Sequence, residues 1–147
     1  MFTWKDASQF KLERARALGA TIDAEADDPS GAFVSLEEHL RTTGATLVHP
    51  FDDPLVMAGQ GTVGLEILED LPDVDTVIVP WGGGGLFTGI ASAIKALRPE
   101  TSMRVVELET SAPLTASVAA GELREIDYKP SFVDGAGARA LLPKMWD

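Results

Sequence analysis

The sequence contains no cysteine, and this absence excludes disulfide bonds, thiolate metal sites and a cysteine nucleophile. Basic residues are also scarce, because 12 Lys and Arg stand against 23 Asp and Glu and give a formal net charge of −11. A nucleic-acid partner is therefore not expected, since binding a phosphate backbone requires clustered Lys and Arg. An anionic ligand would have to be held locally, by backbone groups or by a few side chains.

Long apolar runs are missing as well. No run approaches the roughly 18 to 20 residues that a membrane-spanning helix needs. The N-terminus, Met-Phe-Thr-Trp-Lys-Asp, lacks the basic and then apolar layout of a signal peptide. We therefore expect a soluble, cytoplasmic protein without a membrane partner. Its 147 residues are sufficient to bury one hydrophobic core.

After residue 45 the sequence alternates between strand patterns and helix patterns. Strands are predicted at 45–49, 74–80 and 103–109. Helices are predicted at 55–71, at 86–97 and, with Thr110 or Ser111 as its N-cap, up to about Ala120. Such alternation predicts an α/β fold, with an open, mostly parallel sheet, right-handed crossovers and helices on both faces.

The first 45 residues carry weaker patterns. A short helix is predicted at 10–18, a brief strand at 20–22 and an acidic surface loop at 23–31. A second helix is predicted at 36–41, with Ser35 as its N-cap and Glu38 completing a capping box.

Four consecutive glycines, Gly82 to Gly85, separate the predicted strand 74–80 from the predicted helix 86–97. In an open α/β sheet, ligands bind beyond the carboxyl ends of the strands. A glycine backbone can turn sharply and direct several N–H groups to one point, and the helix N-terminus adds free donors and a partial positive charge. The pattern therefore predicts a phosphate site that uses no Lys or Arg. The alternative is a tight turn without a ligand.

Two generic phosphate-binding motifs can be compared with this loop. A nucleoside-triphosphate loop requires Lys and then Ser or Thr after its last glycine, whereas Gly85 is followed by Leu86, so this motif is excluded. The dinucleotide fingerprint Gly-x-Gly-x-x-Gly fits neither from Gly82 nor from Gly84. Glu107 and Glu109 nevertheless follow the next strand, where an acid could meet a ribose, so a nicotinamide-nucleotide oxidoreductase stays open as a disfavoured alternative.

Three segments, taken in order, resemble the serine/threonine dehydratases: His49-Pro-Phe-Asp-Asp-Pro54, Ala58-Gly-Gln-Gly-Thr-Val-Gly-Leu-Glu66 and Val79-Pro-Trp-Gly-Gly-Gly-Gly-Leu86. The resemblance extends from about residue 7 to residue 135. This family includes threonine ammonia-lyase and serine racemase, which are pyridoxal-phosphate enzymes of amino-acid metabolism with the tryptophan-synthase-β fold, fold type II. For an intact relative it implies α,β-elimination of water from a hydroxy amino acid, followed by loss of ammonia.

The resemblance also implies which residues bind the cofactor. The backbone amides of Gly82, Gly83, Gly84, Gly85 and Leu86 would hold the 5′-phosphate of pyridoxal 5′-phosphate, and Gly135 would bring backbone close to the cofactor ring. Phe51 would face the active-site cleft. Trp81 stands where the family often has a smaller apolar residue.

The family's Schiff-base lysine belongs to a Ser-Phe-Lys-x-Arg-Gly-Ala type motif that would precede this chain, and the Ser or Thr that meets the pyridine nitrogen would follow residue 147. We therefore expect a truncated chain without catalytic residues or covalently attached cofactor, inactive alone and composed of a partial small lobe (1–45) and a partial large lobe (46–147). It would form a homo-oligomer or pair with a complementing chain. The alternative is a non-catalytic fragment that binds an anion or another subunit.

No metal site is predicted from the histidines and paired acids. His39 and His49 lie far apart in the sequence, and structural roles are favoured for both. Asp52 and Asp53 precede a predicted helix, so capping is the favoured role of this pair. Some relatives bind a divalent ion through the equivalent of Glu109 and a later acid, but the later position here corresponds to Thr115.

Overall fold

The computed structural model describes residues 1–133 and 135–146, apart from the side chain of Ser30. The chain divides into two compact units, Met1–Leu47 and Val48–Asp147. None of the helices in the described part of the chain combines the length and the apolarity needed to cross a bilayer.

The first unit contains two strands and two helices: β1 (Phe2–Trp4), α1 (Gln9–Ala17), β2 (Asp23–Ala26) and α2 (Pro29–Thr43). β1 and β2 pair in parallel, with Phe2 opposite Asp23. The Asp28 carboxylate accepts a hydrogen bond from the Gly31 N–H at 2.8 Å, and Pro29 occupies the first helical position of α2. These are strong helix-start signals, because the carboxylate satisfies a free donor and proline has no N–H to leave unpaired.

Several predictions for this unit were wrong. The segment 23–31 is β2 followed by the start of α2, where a loop was predicted, and the strand lies at Asp23–Ala26, after the predicted 20–22. Ser35 lies inside α2 and does not cap it. The acidic composition of 23–31 does not indicate a strand, and α2 begins at the Asp28-Pro29 pair, upstream of the capping-box pattern at Ser35.

The second unit contains three α-helices, two strands and a short 3₁₀ turn: α3 (Pro54–Asp70), β3 (Thr76–Pro80), α4 (Gly85–Leu97), β4 (Ser102–Val106), α5 (Pro113–Ala120) and the turn Pro143–Met145. β3 and β4 pair in parallel, with Val77 opposite Met103 and Val79 opposite Val105. The parallel strands and intervening helices confirm the predicted α/β class. The predicted strand at 45–49 does not form, and among the described strands β3 pairs with β4 alone.

The core of this unit lies between the sheet and α4. Val77 and Val79 on one face of β3 are buried with Ile90 and Ile94 of α4. On the opposite face of β3, Ile78 is 66% exposed. Alternation along the strand places these residues on opposite faces of the sheet, so one sheet face packs against α4 and the other faces outward.

Helices α3 and α4 approach each other through glycines. A Cβ atom on Gly64 would lie 2.9 Å from the carbonyl oxygen of Ile90, and a Cβ atom on Gly89 would overlap the carbonyl oxygen of Met57. Glycine is unfavourable inside a helix, but here it allows the two backbones to touch. The close contact explains why α3 contains Gly61 and Gly64, although glycine is a poor helix former.

The described residues between α5 and Pro143 form no helix or strand, and hydrogen bonds fix several of them. The buried Ser111 hydroxyl donates to the carbonyl oxygen of Ala138 at 2.9 Å and accepts from the N–H of Ala138 at 2.8 Å. The Ile126 N–H donates to the carbonyl of Arg139 at 2.9 Å. The Ser111 bonds hold the segment next to the start of α5, and the Ile126 bond joins two parts of the segment to each other.

Candidate functional site

The loop between β3 and α4 is fixed at both ends by backbone hydrogen bonds. The Trp81 N–H donates to the carbonyl of Val106 at 2.8 Å, and the Thr88 N–H donates to the carbonyl of Gly84 at 2.9 Å. Gly84 is the N-cap of α4 and has φ 91° and ψ −24°. This left-handed conformation costs little for glycine and strains other residues. The loop is therefore a defined turn.

Between these two bonds, the backbone N–H groups of residues 82–87 donate to no acceptor within the described part of the chain. Gly84 and Gly85 are buried. A buried N–H group without a partner costs free energy comparable to a lost hydrogen bond, about 1–3 kcal/mol. The N-terminus of α4 adds a partial positive charge at the same place. The loop thus presents several donors without an acceptor among the described residues, two of them on the buried residues Gly84 and Gly85.

Phe51 and Trp81 pack directly against the glycines. A Cβ atom on Gly83 would overlap the ring of Phe51, one on Gly85 would lie 2.6 Å from the Phe51 carbonyl oxygen, and one on Gly84 would lie 2.8 Å from Cζ2 of Trp81. Glycine at these three positions is therefore required by packing as well as by the turn. Local sequence patterns could not reveal this reason, because Phe51 is far from the loop in sequence.

His49 and Asp53 position the segment that carries Phe51. The Nδ1 atom of His49 accepts from the N–H groups of Asp52 at 2.8 Å and Phe51 at 3.3 Å. The rings of His49 and Phe51 pack edge to face, with 4.7 Å between their centroids. The Asp53 carboxylate accepts from the Leu55 N–H at 2.7 Å and caps α3. The predicted structural role of His49 and the predicted cap at Asp53 are confirmed.

Two buried side-chain atoms in this neighbourhood have no hydrogen-bond partner in the described part of the chain, Nε1 of Trp81 and Oδ1 of Asp52. Nζ of Lys144 lies 3.6 Å from this Asp52 oxygen, which is an ion pair beyond hydrogen-bond distance. The Lys144 charge thereby offsets the negative charge of Asp52 next to the loop.

The segment after α5 brings Gly135 to the first glycine of the loop. A Cβ atom on Gly82 would lie 3.4 Å from Cα of Ala136 and 3.8 Å from the carbonyl oxygen of Gly135. All six residues predicted to bind the cofactor, Gly82 to Leu86 and Gly135, are therefore brought together. The contribution of Ser111, which holds this segment through Ala138, was missed because its partner is distant in sequence.

The N-terminus of α5 is capped in an unexpected way. The Glu107 carboxylate accepts hydrogen bonds from the N–H of Leu114 at 2.9 Å, the N–H of Thr115 at 2.8 Å and the Thr115 hydroxyl at 2.7 Å. The N-cap position is Ala112, so the predicted caps Thr110 and Ser111 were wrong. Glu107 is thus engaged at a helix terminus. Within the described residues, no group of three or more His, Asp or Glu side chains could hold a metal ion.

The whole sequence, residues 1–147, matches the family described as "Pyridoxal-phosphate dependent enzyme". The chain is 43% identical over 129 residues to the L-threonine ammonia-lyase of Thermotoga maritima, covering 88% of this chain and 32% of that protein. It is 38% identical over 136 residues to a putative threonine dehydratase of Sinorhizobium fredii, covering 92% of this chain and 41% of that protein.

Solved structures show the same similarity. The processed form of threonine deaminase isoform 2 from Solanum lycopersicum superposes with a TM-score of 0.88 at 31% identity, covering 97% of this chain and 39% of that one. Maize serine racemase superposes with a TM-score of 0.87 at 33% identity, covering 92% of this chain and 42% of that one. The chain thus spans well under half the length of these relatives.

Proposed function

Because this chain belongs to the family of pyridoxal-phosphate-dependent enzymes, we propose that the backbone N–H groups of residues 82–86 bind the 5′-phosphate of pyridoxal phosphate. The observation that carries this proposal is the run of N–H groups without acceptors at the start of α4. A phosphate ester fits such a site, because its oxygens accept several hydrogen bonds and its charge is favoured at a helix N-terminus. Gly135, beside Gly82, would border the cofactor ring.

We further propose that the complete protein removes water and then ammonia from a hydroxy amino acid such as threonine or serine, as the names of its relatives suggest. The cofactor, when bound, supplies an electron sink for the negative charge that develops at the α-carbon of the substrate. Residues of this chain would bind and orient the phosphate. Residues 1–45 would contribute to a small lobe and residues 46–147 to a large, cofactor-binding lobe of a cytoplasmic enzyme.

The phosphate site can be tested by nuclear magnetic resonance on the ¹⁵N-labelled 147-residue chain. Titration with inorganic phosphate, and separately with pyridoxal phosphate, should shift the amide signals of Gly82 to Leu86, because their N–H groups gain an acceptor. The amide of Gly59, an exposed helix residue with no atom near its missing side chain, serves as the control and should not move. Unchanged loop signals at saturating ligand would contradict the proposal.

A second candidate function is a non-catalytic, subunit-binding role. It is favoured by the outward face of the two-stranded sheet, where Ile78 is 66% exposed and Val106 is 51% exposed. Apolar sheet faces of this kind are usually covered by other elements or partners. We propose a second copy or a complementing chain as that partner. Sedimentation of wild-type chain and of Ile78→Lys distinguishes the roles, since a partner on this face is lost in the variant while phosphate binding persists.

The 147-residue chain is expected to form no 2-oxo acid when it is incubated with pyridoxal phosphate and serine or threonine. α-Proton removal in such chemistry needs an amine poised as a base. Three lysines of this chain are engaged elsewhere. A hydrogen bond to Asp27 raises the pKa of Lys5 and keeps it protonated. Lys95 donates to two backbone carbonyls, and Lys144 pairs with Asp52.

The assay measures 2-oxo acid and ammonia, with the Thermotoga maritima relative as the positive control. Steady ammonia release by the chain above the rate of free cofactor would contradict this expectation. The sites of covalent attachment can be examined in the same samples by reduction with borohydride and mass spectrometry, which would identify any lysine that reacts with the aldehyde of the cofactor.

A further inference from the structure

Trp81 is a buried side chain whose polar atom lacks a partner. It is 5% exposed, and its Nε1 atom makes no hydrogen bond to any atom in the described part of the chain. A buried tryptophan N–H usually finds an acceptor, and leaving it unpaired costs about 1–3 kcal/mol. A purely apolar residue would fill the same space without that cost. The indole N–H therefore indicates an acceptor that the described protein atoms do not provide.

The indole lies on the same loop as the unpaired backbone donors. Cζ2 and Cη2 of Trp81 lie 2.8 Å and 2.9 Å from the position that a Cβ atom on Gly84 would occupy. Cζ2 and Cη2 belong to the six-membered ring of the indole, and Nε1 lies on the adjoining five-membered ring, two bonds from Cζ2, so the indole borders Gly84. The Phe87 ring, 5.7 Å away between centroids, packs against the indole. The side chain that carries the unpaired N–H thus borders Gly84, the N-cap of α4.

Among the buried side-chain atoms of the described residues, the other one without a hydrogen-bond partner is Oδ1 of Asp52, so it does not bond to the indole. Its charge is matched by Lys144 at 3.6 Å. A phosphate group carries three terminal oxygens, so it can accept from the backbone N–H groups and from an indole N–H at once. We infer that Trp81 is an additional phosphate-binding residue, whose indole N–H donates to a phosphate oxygen held by the tetraglycine loop. This inference rests on the proposed phosphate site.

The direct test follows the indole N–H signals of the 147-residue chain during titration with inorganic phosphate and then with pyridoxal phosphate. The Trp81 signal, assigned by its loss in Trp81→Phe, should shift with the same midpoint as the amides of Gly82 to Leu86. The indole of Trp4, which belongs to the other compact unit, should not shift. This measurement needs no variant to bind ligand.

A second measurement separates the N–H from the shape of the ring. Incorporating benzothienylalanine at position 81 replaces the N–H by sulfur and keeps the bicyclic ring, and it should weaken phosphate binding roughly tenfold, as expected for one hydrogen bond to a charged group. Trp81→Phe should weaken it at least as much, and Trp4→Phe should leave it unchanged. Calorimetry gives the dissociation constants, and circular dichroism gives the folded fraction of each protein.

The possible outcomes distinguish this inference from the proposed function. If the signals of the loop amides and of the Trp81 indole shift together, the result supports both the phosphate site and the role of Trp81. Loop amides that shift while the indole stays constant, or a benzothienyl protein that binds as tightly as wild type, would overturn the role of Trp81 and leave the phosphate site standing. If neither set of signals shifts, both proposals are wrong.

Discussion

Gly89→Ala is expected to lower the free energy of unfolding by about 3 kcal/mol or more, at the upper end of what overpacking costs in a core. The new Cβ atom would overlap the carbonyl oxygen of Met57 and lie 2.9 Å from Cβ of Gln60. Both neighbours belong to α3, and one is backbone, so the contact can be relieved only by moving the helices apart. The core residues Ile90 and Ile94 lie on α4, and they would lose packing.

The matched control for this prediction is Gly59→Ala in α3. No atom lies within 4 Å of the Cβ that this change would add, so it should stabilise the chain by up to about 1 kcal/mol through helix propensity alone. Gly61→Ala should fall between the two, because its Cβ would lie 3.2 Å from the Gly89 carbonyl oxygen. Urea denaturation of the three variants measures their free energies of unfolding and hence the order of their stabilities. Equal stability of Gly59→Ala and Gly89→Ala would show that the helix contact is not close.

The elements of the second unit were predicted well where apolar periodicity coincided with proline or glycine at the boundaries. The helix predicted at 55–71 is Pro54–Asp70, the helix predicted at 86–97 is Gly85–Leu97, and the strand predicted at 74–80 is Thr76–Pro80. The strand predicted at 45–49 has the right composition but does not form. A strand requires a hydrogen-bonding neighbour, and local composition does not reveal whether one is present.

For the candidate site, the sequence predicted the donors but not their surroundings. The tetraglycine loop could be identified locally, because glycine content and the strand-to-helix boundary are properties of adjacent residues. The walls at Phe51 and Trp81 and the hydrogen bonds from Ser111 to Ala138 depend on residues brought together by tertiary folding. The family resemblance implies that Gly82 and Gly135 border the same cofactor, and no local pattern connects the two residues.

Gly84→Ala is expected to abolish phosphate binding at concentrations that saturate the wild-type chain. Two effects act together on this residue. Its φ of 91° lies in the left-handed region, which costs a residue with a side chain about 1–2 kcal/mol. The added Cβ would also lie 2.8 Å from Cζ2 of Trp81 and 3.0 Å from Sδ of Met145. The turn must therefore change, and with it the positions of the N–H groups of residues 82–86.

Gly121→Ala separates backbone strain from loss of the site. Gly121 has φ 71° at the C-terminus of α5, with nothing within 4 Å of an added Cβ. This variant should lose about 1 kcal/mol of stability and keep its affinity for phosphate, since its strain lies at the C-terminus of α5 and outside the loop that carries the donors. Calorimetric titration with inorganic phosphate, at matched folded fractions from circular dichroism, compares the two variants. Wild-type affinity in folded Gly84→Ala would mean that the phosphate is bound elsewhere, because the donor geometry of the loop could not survive the change.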